Sequence, residues 1–301
     1  MNIDNTSDDD NDNGRPATPL DEDCCHNGCN PCIFDIHAKL LEEYEKKKKE
    51  NVKVQISKNM LCQFSYKIFV ITDIQEAADT YILLALRYQE SDKKNDVCLL
   101  IEPGQHVMLH LQDATRPFTP LYYTDDSIQF LVRLYHNGKF SMYLEHAKIG
   151  DEIRIRGPYG NFKYKRNSFQ NIIMFCMGSG ITAMYPVIKS IIDNELEETR
   201  IHFVGCYRKV SQIPLKKELQ IFSDYWNFKS VLYISQLLNE VRNLHGIDLK
   251  SGRLNEESVY QIIKEDVNST KLVLICGSQE FNNSVEQWAR NTNCNCIHVF
   301  K

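Results

Sequence analysis

The hydrophobic period of the chain changes near residue 165, and that change limits the fold more than any other feature of the 301 residues. From Phe64 to Tyr164 the apolar positions come in short alternating runs, at Phe64–Ile71, Thr80–Tyr88, His106–Leu111, Ile128–Tyr135 and Glu152–Ile155. Turn residues separate them at Glu102-Pro103-Gly104, Asn137-Gly138 and Gly157-Pro158. Short strands without helices of comparable length predict a small antiparallel barrel or sandwich. Ser141–His146 reads as one short helix capped by Ser141. Beyond residue 169, apolar strands at Asn171–Met177, Ile201–Cys206, Ser230–Ile234, Lys271–Cys276 and Cys296–Phe300 alternate with helices. Those helices fall at Ala183–Asp193, with Met184, Val187, Ile188, Ile191 and Ile192 on one stripe, and near Leu215–Phe222, Glu256–Lys264 and Asn282–Ala289. Strand and helix alternating at this length predict a parallel sheet covered on both faces.

Two further segments precede these. Residues 1–23 hold eight acids against Arg15 alone, a net charge of −7, so the overall −5 leaves +2 on residues 24–301. A near-neutral body excludes a broad nucleic-acid surface. The tail, residues 1–22, has too little apolar content to offset the entropy of ordering and is expected to be disordered. Residues 23–50 form a cysteine-rich module, residues 60–164 the β domain and residues 169–301 the α/β domain. Within the module a helix is expected from Phe34 to about Lys49, with Phe34, His37, Leu41 and Tyr44 on one face. No apolar run reaches the roughly 18 residues that cross a bilayer, and the acidic N-terminus fits neither a secretory signal nor a transit peptide. A cytoplasmic monomer is the expectation, with mitochondrial or membrane-peripheral placement left open.

Cys24-Cys25-His26-Asn27-Gly28-Cys29-Asn30-Pro31-Cys32 puts four thiols and an imidazole within nine residues. Cys29 and Cys32 have the gap of a metal knuckle, and Cys24 and Cys25 would add thiolates for a soft ion. A closed site usually draws on two separated pairs, so three readings stand side by side: a metal site, a redox-active thiol set, and a docking element with incidental cysteines.

In the β domain, Arg116-Pro117-Phe118-Thr119-Pro120 places an arginine, an aromatic and a hydroxyl on one extended segment. Such a set suits a ligand anionic at one place and flat at another, such as a flavin dinucleotide; a proline-bounded edge strand is the plainer reading. Tyr135 with Gly138-Lys139-Phe140-Ser141 adds an aromatic, a cation and a helix N-terminus able to receive phosphate. At the first strand-to-helix turn of the α/β domain, Met177-Gly178-Ser179-Gly180-Ile181-Thr182 lets backbone N–H groups approach a pyrophosphate, or simply packs tightly. Cys276-Gly277-Ser278 ends the last-but-one strand, on the edge where ligands collect in open α/β sheets.

The order of Gly104-Gln105-His106, Arg116–Pro120, Lys139-Phe140-Ser141, Arg156-Gly157-Pro158-Tyr159-Gly160, Gly178–Thr182, Gly252-Arg253-Leu254-Asn255-Glu256 and Cys276-Gly277 resembles the ferredoxin-reductase superfamily, within it the NADH–cytochrome b5 reductase group. The likeness spans roughly residues 60–301. It implies an antiparallel β-barrel FAD domain followed by a Rossmann-like nicotinamide domain. It also implies an FAD-dependent enzyme that takes a hydride from NADH or NADPH and passes single electrons to a haem-type acceptor protein such as cytochrome b5. By the same resemblance Arg116 would pair with the FAD pyrophosphate, Phe118 would pack against the ring system, and Thr119 would bond near flavin N5 with His106 behind it on a proton path. Leu131, Arg133 and Tyr135 would line the flavin strand, and Lys139, Phe140 and Ser141 would hold the diphosphate. Thr182 would reach the flavin from the second domain, while Gly178, Gly180, Cys276 and Gly277 would hold the nicotinamide dinucleotide, with Cys276 near its ring.

The chain departs from that group's pattern at Phe118 (usually tyrosine), Met177 (glycine), Ala183 (proline) and Ser278–Phe281 (a proline-rich stretch). Gln212 falls near a usual acid, with Arg208 and Lys209 close by, so NADH and NADPH both stay open. Residues 20–48 resemble the N-terminal "oxidoreductase-like" module through Cys24-Cys25, Gly28-Cys29 and Cys32-Ile33-Phe34. The alternative reading is a flavin-bearing or scaffold protein with a weakened nicotinamide site that acts through this metal- or thiol-based module.

Overall fold

Phe69, Leu84, Leu86, Leu109, Phe130, Ile153 and Ile155 are all fully buried in one core, and they come from five strands of a single antiparallel sheet. The computed structural model describes residues 16, 18–20, 32–49, 59–89, 98–237, 244–265 and 269–300. After helix α1 (Ile33–Lys49) come β1 (Lys67–Ala78), β2 (Tyr81–Tyr88), β3 (His106–Leu111), β4 (Ala114–Phe118), β5 (Pro120–Tyr123), β6 (Ser127–Arg133), α2 (Lys139–His146) and β7 (Glu152–Tyr159). The strands lie in the order β4-β3-β7-β1-β2-β6-β5. β4 and β5 are therefore the two edges of the sheet, yet Thr119 alone separates them in sequence. One residue spans at most about 3.6 Å, so the sheet must curl until its edges meet, which makes it a barrel with a seam at Thr119. Pro117 and Pro120 sit on these edge strands, where a missing N–H costs no ladder bond in the sheet interior.

The second sheet is parallel, in the order β11-β10-β9-β8-β12-β13. Its elements are β8 (Asn171–Met177), α3 (Ile181–Ile192), β9 (Arg200–Tyr207), α4 (Lys216–Phe222), β10 (Phe228–Ile234), β11 (Ile247–Ser251), α5 (Glu256–Lys264), β12 (Lys271–Cys276), α6 (Gln279–Asn291) and β13 (Ile297–Val299). β8 is buried on both faces, which is why it reads as an unbroken apolar run. One face packs with α3 and α4 and the other with α5 and α6. The chain builds outward from β8 to β11, then crosses back to lay β12 on the other side of β8, a topological switch point.

Both domains form as the two periods predict, the segment Arg116–Pro120 runs through two edge strands as its plainer reading had it, and four details are corrected. Gly157-Pro158 is not a turn; it lies inside β7 at a register shift opposite His106 and Met108, where Gly157 takes a φ of +147°. Glycine within a strand pattern marks such a bulge. Helix α2 starts at Lys139 with Gly138 as its N-cap, so Ser141 is its third residue and not the cap. On α1 the buried stripe runs through Ile33, Ile36 and Tyr44, while Phe34 is exposed. β11 escaped the periodicity because Ile247 is its one buried residue.

Most of the tail and the start of the cysteine module, Cys24, Cys25 and Cys29 included, lie outside the described residues; Cys32 is a free thiol at the start of α1. Among the described residues no group of three or more His, Cys, Asp or Glu is placed to hold a metal ion, and no helix is long and apolar enough to cross a membrane.

At the switch point the turn after β8 presses on the end of β12. A Cβ on Gly180 would stand 2.1 Å from the Cys276 carbonyl oxygen and 2.7 Å from its carbon, both backbone atoms that cannot swing away. Gly180→Ala should therefore destabilise the α/β domain by about 3 kcal/mol, an overpacking cost. Gly150→Ala, at a φ of +97° with open space around it, is the control for backbone strain alone. Thermal melts check this, and a Gly180→Ala melt no lower than that of Gly150→Ala would show that the turn can move.

Candidate functional site

The seam brings the β-domain residues together. β4 pairs with β3 up to Val107 opposite Phe118, so His106 and Thr119 each adjoin the last pair of that ladder. On its other side His106 pairs with Tyr159 of β7, ring to ring at 5.8 Å. Burial pushes the His106 imidazole below its ordinary pKa, so it is neutral at neutral pH and keeps one donor and one acceptor nitrogen. Phe118 lies against Phe140 at 5.1 Å and Phe130 at 6.2 Å. Its ring meets only other rings there, so the missing tyrosine hydroxyl leaves no buried polar group behind.

Charged groups gather beside the seam. Arg116 is exposed on β4, its Nη1 donating to the Thr115 carbonyl at 2.7 Å, and it lies close enough to Lys139 for the two charges to interact. Lys139 is the first residue of α2, whose N-cap Gly138 offers no side-chain cap. Two cations thus stand near a helix N-terminus that has no side-chain cap, and groups of these kinds suit phosphate oxygens. A feature the sequence did not disclose is Asp113, which pairs with Lys139 and accepts a 2.5 Å hydrogen bond from the Tyr143 hydroxyl. Those two hydrogen bonds lower the Asp113 pKa, and the Asp113 bond raises that of Lys139. Ser141 Oγ accepts from the Tyr135 N–H at 2.9 Å, tying the end of β6 to α2. Leu131, two residues before Arg133 on β6, is 2% exposed and packs in the core shared with the second sheet.

The second half of the site comes from the parallel sheet. Gly178 takes a φ of +58°, and a Cβ there would stand 3.0 Å from Arg133 Nη1 and 3.3 Å from the Tyr81 hydroxyl. Arg133 itself lies between the rings of Tyr135 and Tyr81, at 5.1 and 5.8 Å. Burial raises the Tyr81 pKa to about 12 even though Arg133 pulls the other way. Thr182 Oγ1 donates to the Ser179 carbonyl at 3.0 Å, bracing the glycine turn. Register pairs Cys176 with Cys276, so the turns after β8 and β12 lie side by side. The Cys276 thiol is pushed up to about 12 by burial, which makes it a neutral group with no nucleophilic thiolate. Arg208 and Lys209 are exposed just after β9, with Gln212 in the short 3-10 turn that follows.

The departures from the reductase pattern fit one another. A Cβ on Gly277 would meet Phe281 at 2.6 Å and Met177 at 3.0 Å, so two of the altered residues pack on the same glycine. Ser278 caps α6 by accepting from the Phe281 N–H at 3.3 Å, so the altered stretch is the first turn of a helix. A contact that sequence reasoning missed joins the domains at the far end. Phe300 and His298 lie 5.2 and 4.8 Å from Phe162, and a Cβ on Gly104 would touch Phe162 and Phe300. The glycine of Gly104-Gln105-His106 was the available signal for that close approach.

Residues 71–164 match the oxidoreductase FAD-binding domain, residues 174–287 the oxidoreductase NAD-binding domain, and residues 13–53 the oxidoreductase-like protein N-terminal family. The human protein named NADH-cytochrome b5 reductase-like is 29% identical over 291 residues, covering 90% of this chain and 89% of that protein. In structure the chain resembles the cytochrome b5 reductase domain of Ulva prolifera nitrate reductase, with a TM-score of 0.67 at 19% identity over 80% of this chain and all of that one. It also resembles a ferredoxin NADP+ reductase from Neisseria gonorrhoeae with bound FAD and NADP, with a TM-score of 0.63 at 16% identity over 78% and 97% of the two chains. The chain thus carries an oxidoreductase FAD-binding domain followed by an oxidoreductase NAD-binding domain, with an oxidoreductase-like N-terminal segment in front, and its fold is that of the reductases it resembles.

Proposed function

We propose that the chain is an NAD(P)H reductase that holds FAD across the Thr119 seam and serves a one-electron haem acceptor of the cytochrome b5 kind. The observation that carries this reading is the meeting of Arg133, on the strand assigned to the flavin, with Gly178, in the turn assigned to the nicotinamide dinucleotide. The two half-sites thus abut. Bound there, the cofactors supply hydride transfer from nicotinamide to flavin and the step from paired to single electrons.

The chain's own residues bind, orient and keep water out. Arg116, Lys139 and the N-terminus of α2 hold the diphosphate; a planar guanidinium matches two phosphate oxygens at once. Phe118 and Tyr135 supply flat apolar contact, and Thr119 donates its hydroxyl proton at the ring edge with His106 as the next proton carrier. Gly178 and Gly180 let backbone N–H groups reach a second diphosphate, and Cys276 with Gly277 shapes the nicotinamide pocket through a neutral thiol. Holding both rings in one dry cleft is the protein's main contribution to rate. Lys163, Lys165 and Arg166 are exposed after β7 and suit an acidic face on the acceptor.

Purified protein should be yellow and should bleach on adding NADH or NADPH without oxygen; a colourless chain that takes up no added FAD would sink the reading. Arg116→Lys should weaken FAD binding roughly tenfold, since a point charge replaces a two-pronged contact, and fluorescence titration of the apo chain measures this. Replacing Lys163, Lys165 and Arg166 together with glutamate should slow cytochrome b5 reduction about tenfold at low salt while leaving ferricyanide reduction unchanged. Equal loss with both acceptors would place those cations elsewhere in the mechanism.

A further inference from the structure

Helix α1, the described part of the cysteine-rich module, lies on the outer wall of the barrel directly behind the seam. Ile36 and Leu40 pack with Met108 of β3, Tyr159 of β7 and Phe64 in a small cluster separate from the larger cores. The His37 ring stands edge-on to Phe64 at 5.9 Å. Tyr159 belongs to both sides of this contact. It is 6% exposed, its hydroxyl donates to the Gln63 carbonyl at 2.7 Å, and its ring faces His106. The Gly157 N–H donates to the Cys62 carbonyl at 3.0 Å and Gln63 Nε2 donates to the Pro158 carbonyl, so residues 62–64 are laced to β7 beneath the helix. From α1 the contacts run through Tyr159 to His106, which adjoins Val107, and Val107 pairs with Phe118, the neighbour of Thr119.

We propose that α1 is a positioning element acting in cis on the flavin site: docked, it clamps Tyr159, and Tyr159 holds the His106 imidazole beside Thr119. This rests on the reading of Thr119 and His106 as flavin-side residues. The cluster under Ile36 and Leu40 is separate from the larger cores, and His37 Nε2 is buried with no hydrogen-bond partner among the described residues, so the helix can be released without unfolding either core. The cysteine run leads in sequence into α1, whose first turn is closed by the Ile36 N–H donating to the Cys32 carbonyl. Tyr159 is a positioning residue here, acting through His106.

Coupling of two binding events is reciprocal and commonly amounts to about 5- to 150-fold. Ile36→Asp with Leu40→Asp in the full chain should release the helix, seen as faster tryptic cleavage within residues 33–49, and should raise the FAD dissociation constant about tenfold. Adding FAD to the parent apo chain should slow that cleavage by the same factor. Tyr159→Leu should weaken FAD binding with α1 released or not, and Tyr159→Phe, which keeps the ring, should restore most of the affinity. Should the double aspartate variant not fold, Ile36→Ala gives the same pair of readings on a smaller scale. FAD binding by the parent chain is measured first, and its absence would count against the flavin reading. A released helix with an unchanged FAD dissociation constant, or cleavage indifferent to FAD, overturns the positioning role alone.

Discussion

Thr119 joins the two edges of the β-domain sheet, and the site is built around that join. A seven-stranded antiparallel sheet whose edge strands are consecutive in sequence has to curl. The curl leaves a line along its wall where β4 and β5 present unpaired backbone to the outside. Proline at 117 and 120 suits such edges because neither N–H is needed for the sheet interior. Near the seam stand the groups that the proposed flavin site would use: Arg116 and Lys139 for charge, Phe118 for a flat surface, Thr119 and His106 for a hydroxyl and a neutral imidazole. The parallel sheet contributes the facing half because its switch point, between β8 and β12, carries two adjacent turns of small residues.

Much of this was legible from residue pattern alone. Asn171–Met177, Lys271–Cys276 and Glu256–Lys264 match their elements end to end, because a two-sided apolar strand and a capped amphipathic helix write their boundaries in the sequence. Elements whose boundaries depend on partners were harder to place. β11 buries little of itself, and the bulge at Gly157 looks like a turn until β3 is laid beside it. The buried stripe of α1 begins at Ile33 and Ile36, one position before the expected Phe34 and His37, and meets the expected face at Tyr44. At the site, Arg116, Lys139 and the glycine turns were visible through their chemistry. Asp113, Tyr159 and the contact of Phe300 with Phe162 were not, since each matters through a neighbour far away in sequence.

Charge at the diphosphate position is tempered. Asp113 shares Lys139, so the pair together with Arg116 carries a single net positive charge, to which the N-terminus of α2 adds its partial positive end. Such a site favours an anion that can compete with one carboxylate for Lys139. The altered residues of the nicotinamide half form a consistent set, with Met177 and Phe281 closing on Gly277 and Ser278 starting α6. They reshape that half of the cleft while leaving Gly180 against Cys276 untouched.

A crystal structure of the chain with FAD tests the central claim most directly. The account predicts the diphosphate between Arg116 and the first turn of α2, and the ring at the seam with its N5 edge within hydrogen-bond distance of Thr119. A flavin bound away from the seam, or one with Thr119 and Arg116 both turned from it, would contradict the account.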